Sequence, residues 1–231
     1  MKRFYSDATA RQVDGGWGVA LDGRAVRTQG GQAQCVLSRA LAESLADEWR
    51  AQGEEIDPHA FPLRDMADLA IDHVAPGPAE TIDKLLRYAE TDTLCYRAEP
   101  DEPLFRRQDE VWEPLLSALE QRASIRFNRI GGVGYRPQPP ATLDRLRSLL
   151  EGENAFTLAA LTTLASLAAS LSIALLALED EADAEALFAA ANLEEDWQAE
   201  QWGWDAPAAA RRATRLETFR KAAHFARAAR G

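Results

Sequence analysis

The chain is 231 residues long, 46% hydrophobic and 27% charged, with 26 Lys and Arg against 37 Asp and Glu, a net charge of −11. That composition excludes wholesale disorder and collagen-like repeats, and the length suits one large domain or two small ones with a real buried core. The acidic balance excludes a bulk-electrostatic grip on nucleic acid or anionic lipid, and two cysteines, Cys35 and Cys95, exclude a disulfide scaffold and fit a reducing cytoplasm.

The first forty residues read as β structure. Runs at 8–13, 17–21, 24–28 and 33–37 carry Val, Trp, Leu or Thr. Asp14-Gly15-Gly16 and Asp22-Gly23 separate the first three, and Asp-Gly suits tight hairpin turns that need positive φ. Such a meander is too small to be stable alone and must pack on the helical remainder of the chain.

The hydrophobic period changes at Ser38. Ser38 is placed to cap a helix that turns Leu41, Leu45 and Trp49 inward and stops at Gly53. A second helix is predicted over 63–74, ended by Pro76-Gly77-Pro78, and a third over 79–89. A long helix covers 102–122, with Pro114 as a candidate kink. Residues 124–127 read as a short strand. Three Gly and three Pro make 128–140 a loop. Helices come next at 142–150, 155–178, 182–202 and 206–229. The predicted fold class is α+β: a small N-terminal antiparallel β unit, then a larger mostly helical domain. The division expected is residues 1–53, the β-rich unit with its first helix, and 54–231, the helical body.

Two stretches raise questions of environment. Residues 155–178 hold no charged side chain over 24 positions, which is long enough to cross a bilayer. Interleaved Thr and Ser and the absence of a flanking basic cluster favour a buried core helix over membrane insertion. Further on, 179–205 carries ten acids and no Lys or Arg, whereas 206–231 carries seven basic residues and one acid. Opposite charges on consecutive helices joined at Gly203 invite pairing within the chain. The alternative keeps one face for a charged partner.

Catalytic constellations are sparse. Gly131-Gly132-Val133-Gly134 lacks the Gly-Lys-Ser/Thr ending of a phosphate-binding loop. Neither cysteine has an activating neighbourhood. His59, His73 and His224 show no metal-ligand spacing and no Gly-x-Ser-x-Gly elbow accompanies them. No catalytic residue, metal or cofactor is assigned, and a binding role is favoured over the alternative, a small cytoplasmic enzyme with an unrecognised site. Two segments are rich in specificity. One is Tyr88-Ala89-Glu90-Thr91-Asp92-Thr93-Leu94-Cys95-Tyr96, whose Thr and Asp also suit backbone capping. The other is the segment from Leu193 to Gly203, where Asn192 and Glu195 have capping-box spacing. Trp197 and Trp202 lie on different sides of a helix, and an exposed Trp beside carboxylates is interface material.

Taken in order, several pieces resemble one family: Arg3-Phe4-Tyr5, Leu21-Asp22-Gly23-Arg24-Ala25-Val26-Arg27-Thr28, Glu48-Trp49, Glu90-Thr91-Asp92-Thr93-Leu94-Cys95-Tyr96, Gln108 with Trp112-Glu113-Pro114, and Glu194 to Gly203. The family is the alpha-subunit-specific assembly chaperone of the F-type ATP synthase head, found in mitochondria and alpha-proteobacteria. The resemblance implies an ATP-independent chaperone whose partner is the free alpha subunit. It implies that Glu194, Asp196, Gln198 and Trp202 touch the client, with Glu90 and Asp92 as second choices. The N-terminus does not read as a transit peptide, so a bacterial cytoplasmic location is expected for this chain, the matrix being the eukaryotic counterpart. The chain departs from the family at Ala169-Ser170, where a Gly-Ser pair is usual and Ala implies a slightly wider helix approach. The loop after Phe127 is also less typical.

Overall fold

The structure, a computed structural model, describes residues 1–230. It opens with a three-stranded antiparallel sheet of β1 (Ala8–Val13), β2 (Gly16–Leu21) and β3 (Arg24–Ala25) in that order. The register pairs Ala8 with Leu21 and Ala20 with Ala25. The fourth β run forms no full strand. It touches β2 through a single bridge from Val36 to Trp17. Close approach there depends on Gly16, because a Cβ at that position would sit 2.5 Å from the Val36 carbonyl oxygen.

The first helix, α1 (Arg39–Arg50), is capped as its sequence predicts: Ser38 Oγ accepts the Leu41 N–H. Leu41, Leu45 and Trp49 are buried against the sheet and the body. Tyr5 donates its hydroxyl to the Trp49 carbonyl at 2.6 Å, and Arg50 reaches the Ala8 carbonyl at 2.7 Å. Glu48 is buried too, and its two carboxylate oxygens accept the Leu63 and Arg64 N–H groups at 3.0 Å. It thereby caps α2 (Pro62–Leu69), which has no cap of its own because Phe61 occupies the N-cap position. Burial pushes the Glu48 carboxyl above its usual range, and the two amides and nearby Lys221 hold it down in part.

α2 runs directly into one wider π-helical turn, Ala70–Val74, which together match the single helix predicted over 63–74. Then come α3 (Pro78–Glu90), a short strand β4 (Tyr96–Arg97), and α4 (Pro103–Ala123). α4 passes through Pro114 without ending, and Pro114 lies on the solvent side. The strand predicted at 124–127 does not form. Ser124 turns left-handed at φ 56°, the Phe127 N–H is taken by the Glu120 carboxylate, and the Arg126 N–H by Thr142 Oγ1. With those amides committed, pairing moves to β5 (Ile130–Gly131), which runs parallel to β4.

The body is completed by α5 (Pro140–Glu151), α6 (Ala155–Ala168), α7 (Leu171–Leu176), α8 (Ala184–Ala191), α9 (Leu193–Trp202) and α10 (Ala206–Arg230). α6 is the central helix, in contact with α10, α3, α2 and α7. Its Phe156, Leu158, Leu161 and Leu164 are buried around its circumference, which explains the missing amphipathic pattern. Ala222, Ala223, Ala226 and Ala229 on α10 are buried as well, and these small side chains let the two helices approach closely.

The uncharged stretch 155–178 is therefore not one helix. It breaks at Ala169, whose φ is +48°, and Ser170 restarts it by accepting the Ile173 N–H on its Oγ. The 14 residues of α6 rise about 21 Å, short of a bilayer's hydrocarbon core. Among the described residues no helix is long and apolar enough to cross a membrane. The consequence of Ala169 also differs from expectation. Its cost is backbone strain in the left-handed region rather than helix spacing. Replacing it with Gly is expected to stabilise the fold by about 0.5 kcal/mol after the glycine entropy cost, a rise in Tm of about 1–2 °C by calorimetry.

Candidate partner-binding surface

α4 organises the face that carries α9. Gln108 is fully buried and bridges two distant segments. Its Oε1 accepts the Ala98 N–H at 2.8 Å, and its Nε2 donates to Glu194 Oε1 at 2.7 Å. One turn on, buried Trp112 donates its indole N–H to the Ala190 carbonyl at 2.7 Å, holding the end of α8. The pieces around Ala98, Gln108, Trp112 and Glu194, separate in sequence, thus form one connected unit.

Beneath it lies a charged network. Arg97, whose side chain is nearly fully buried, pairs with Asp109 and with Glu113. Arg129 pairs with Glu113 at 2.8 Å and also with buried Glu120. Burial acts to raise the Glu113 carboxyl, but the guanidinium groups of Arg129 and Arg97 outweigh it and bring the group down to about 2. Glu120 is also held below its usual range: its own desolvation is outweighed by Arg129, the Phe127 amide and Arg126.

The helix α9 presents two faces. Glu194, Gln198 and Trp202 occur at four-residue intervals, so they share one stripe, and all three are exposed, Trp202 by 79%. Leu193, Asp196, Trp197 and Glu200 share the other side. There they line a hollow of about 490 Å³ with Arg107 of α4 and Trp204. Asp196 is accordingly turned away from the stripe and pairs with Arg212 of α10. Burial raises its carboxyl while Arg212 lowers it in part. Glu195 pairs with Arg215 and Glu185 with Arg220, so the acidic and basic C-terminal helices do pair within the chain. Trp204, 43% exposed beyond Gly203, adds to the aromatic character of this end; sequence reasoning missed it because it lies past the end of the helix. The capping box expected at Asn192 is absent. Asn192 instead donates its side-chain N–H back to the Phe188 carbonyl at 2.8 Å and closes α8.

The second-choice residues separate. Glu90 is exposed at the end of α3. Asp92 has no exposed surface and so offers nothing for a client to touch in this conformation. Its carboxylate accepts from Leu94 N at 3.1 Å, Ser170 Oγ at 2.7 Å and Ser172 N at 2.8 Å. Burial pushes this carboxyl upward against those hydrogen bonds. The capping role that its residue type allows is the one it performs.

Other candidates find mundane positions. Gly132 donates its N–H to the carbonyls of Arg97 and Ala98, and a Cβ at this position would run into the Glu99 carboxylate, an acid that a phosphate would not join. Cys95 is buried with its thiol pushed up by desolvation, and both cysteines are free. Ser44 Oγ lies 3.2 Å from His224 Nε2, but it also donates to the Ala40 carbonyl, which leaves its proton in the helix ladder. Among the described residues no group of three or more His, Cys, Asp or Glu is arranged to hold a metal ion.

Comparison with known proteins decides the family. The family described as "ATP12 chaperone protein" matches residues 2–120, just over half of the chain. The chain belongs to the ATP12 chaperone family. Its structure superposes on Atp12 of Paracoccus denitrificans with a TM-score of 0.87 and 37% identity, covering 97% of this chain and 96% of that one. A protein of Agrobacterium tumefaciens superposes with a TM-score of 0.92 and 38% identity, over 100% of this chain and 86% of that one. Protein atp12, mitochondrial, of Schizosaccharomyces pombe is 26% identical over 214 residues, spanning 87% of this chain and 74% of its own length. The match over 2–120 takes in the α4 residues Gln108 and Trp112 that position α9, and the structural matches extend over α9 itself.

The charged network makes a pH prediction. Because the folded Glu113 carboxyl is depressed from 4.5 to about 2, its contribution to stability is complete above 4.5 and lost as pH falls towards 2. Glu113→Gln removes that contribution, so its denaturation midpoint should fall less steeply than wild type between those values, by urea titration at stepped pH.

Proposed function

We propose that this chain is an ATP-independent assembly chaperone for the F-type ATP synthase head, binding the free alpha subunit. It shields the subunit's beta-pairing surface until beta replaces it in the hexamer. The observation that carries this reading is membership of the ATP12 chaperone family together with the Glu194–Gln198–Trp202 stripe, which is left open on a rigidly supported helix. An unassembled alpha subunit would expose the apolar surface it later pairs with, and such surfaces aggregate or pair wrongly. A stoichiometric cover needs no nucleotide if the hexamer is the more stable partner. On this reading the chain is a binding protein and not an enzyme, acts without a cofactor, and works in the bacterial cytoplasm.

The support for the client surface is physical. A large aromatic side chain held in water is costly to leave uncovered and gains most when a partner buries it. Glu194 is pre-oriented by Gln108, so less side-chain freedom is lost on binding. Asp196 contributes indirectly, by tying α9 to α10. Glu90 remains a peripheral candidate.

Co-expression with the cognate alpha subunit, without beta, followed by size-exclusion chromatography, tests the reading. A soluble one-to-one complex that dissociates on addition of beta is expected. Aggregated alpha with this chain eluting alone would overturn it. Within that complex, Trp202→Ala should weaken capture by about 30-fold, and Glu194→Lys should weaken it more modestly, with unchanged circular dichroism. Asp196→Lys should instead lower thermal stability, since it sets two cations against each other across α9 and α10.

A further inference from the structure

One groove in the structure lies away from α9. It holds about 830 Å³ between the N-terminal sheet and the α1–α2 corner. That is within the usual range for binding pockets, about 300–1,000 Å³. Three of the sequence pieces that α9 leaves unexplained converge on it: Phe4 and Tyr5, the hairpin from Leu21 to Thr28, and Trp49. Their convergence is a property of the fold, because they come from the N-terminus, the β2–β3 turn and the end of α1.

The groove has an apolar wall and a cationic rim. Phe4 stands 63% exposed at one side and stacks edge-on to Tyr5, which stacks edge-on to Trp49. Arg24, Arg27 and Arg64 line the same groove. Arg24 makes no ion pair among the described residues, and Arg27 donates to the Gly31 carbonyl and to no acid. Arg64 pairs with Asp65 while lying 4.2 Å from the centre of the Phe61 ring. The two acids in the lining are already engaged. Asp22 accepts the Ser6 and Asp7 N–H groups, and Asp68 accepts from Gln34 Nε2 and Gln29 N. On a chain of net charge −11, a groove with uncommitted guanidinium groups is a local exception.

A buried unpartnered donor and an open strand edge lie beside the charge. The indole N–H of Trp49, a residue only 8% exposed, has no partner. The edge strand β3 is also open at Ala25. Val26 donates inward to the Val19 carbonyl, so in an antiparallel ladder the alternate residue Ala25 directs its N–H and C=O outward. An open strand edge beside side-chain pockets is the arrangement that accepts an added strand.

We propose that this groove is a second docking site that takes an extended acidic peptide segment of a partner protein. The segment adds to β3 at Ala25, places carboxylates against Arg24 and Arg27, and rests apolar side chains on Phe4 and Tyr5. A basic segment is excluded by the same guanidinium groups, and a purely apolar one leaves them desolvated without partners.

The test uses the whole chain, ¹⁵N-labelled, and two capped hexapeptides, one alternating Glu and Val and the other alternating Lys and Val. The Glu peptide should shift the Trp49 indole N–H and Ala25 amide resonances, saturating with a Kd below about 1 mM. The affinity should fall as salt rises. Arg24→Glu, at an exposed position, should weaken the Glu peptide by about tenfold while leaving the rest of the spectrum in place. No shift at either resonance, or equal affinity for the Lys peptide, would overturn the proposal. Because no ATP synthase subunit is present, such a failure leaves the alpha-subunit reading untouched.

Discussion

The fold turns on one buried carboxylate. Asp92 has no exposed surface, and an ionisable group so placed is costly unless its hydrogen-bonding capacity is filled. Here it is filled from three directions. Asp92 starts the short turn before β4 through Leu94 N, and it fixes the start of α7 through Ser170 Oγ and Ser172 N. Thr93 adds two contacts to the Ala169 carbonyl, at 3.2 Å from its N–H and 2.9 Å from its hydroxyl. The left-handed Ala169 that interrupts the central apolar stretch is thus held by the segment across from it.

That junction places everything outward of it. With the turn after α3 fixed, Tyr96 and Arg97 emerge as β4 and pair with β5, and Arg97 enters the network of Asp109 and Glu113. The next residue, Ala98, donates to Gln108, and Gln108 donates to Glu194 on the exposed stripe. A path made of hydrogen bonds and the short strand β4 therefore runs from the core break to α9. Residues that read as a recognition sequence act, at Asp92, as internal structure, while the exposed stripe lies on α9, several bonds away.

Much of this was legible in the sequence and some was not. The hairpins at Asp14-Gly15-Gly16 and Asp22-Gly23, the Ser38 cap and the opposite charges of the last helices are local signals, and each has its structural counterpart. The break at Ala169 left no trace in periodicity, because uncharged side chains run without interruption through the helices on both sides of it, most of them buried. The strand expected at 124–127 failed through tertiary competition: Glu120 and Thr142 claim its amides. Glu48 carries no sequence signal of its role, which is to cap a helix fifteen residues on. At the candidate surface, the exposed Trp202 is a consequence of helical geometry. The inward turn of Asp196 required knowing where α10 lies. The groove under Phe4 was invisible, since it exists only where three separated pieces meet.

We propose that the α9 stripe carries the client while the Asp92 junction only supports it. Hydrogen exchange of this chain, alone and with the cognate alpha subunit, separates the two roles by segment. The alpha subunit is expected to slow exchange across 193–205 and to leave 92–96 and 169–173 as they were. Protection confined to 92–96 or 169–173, with α9 unchanged, would contradict it.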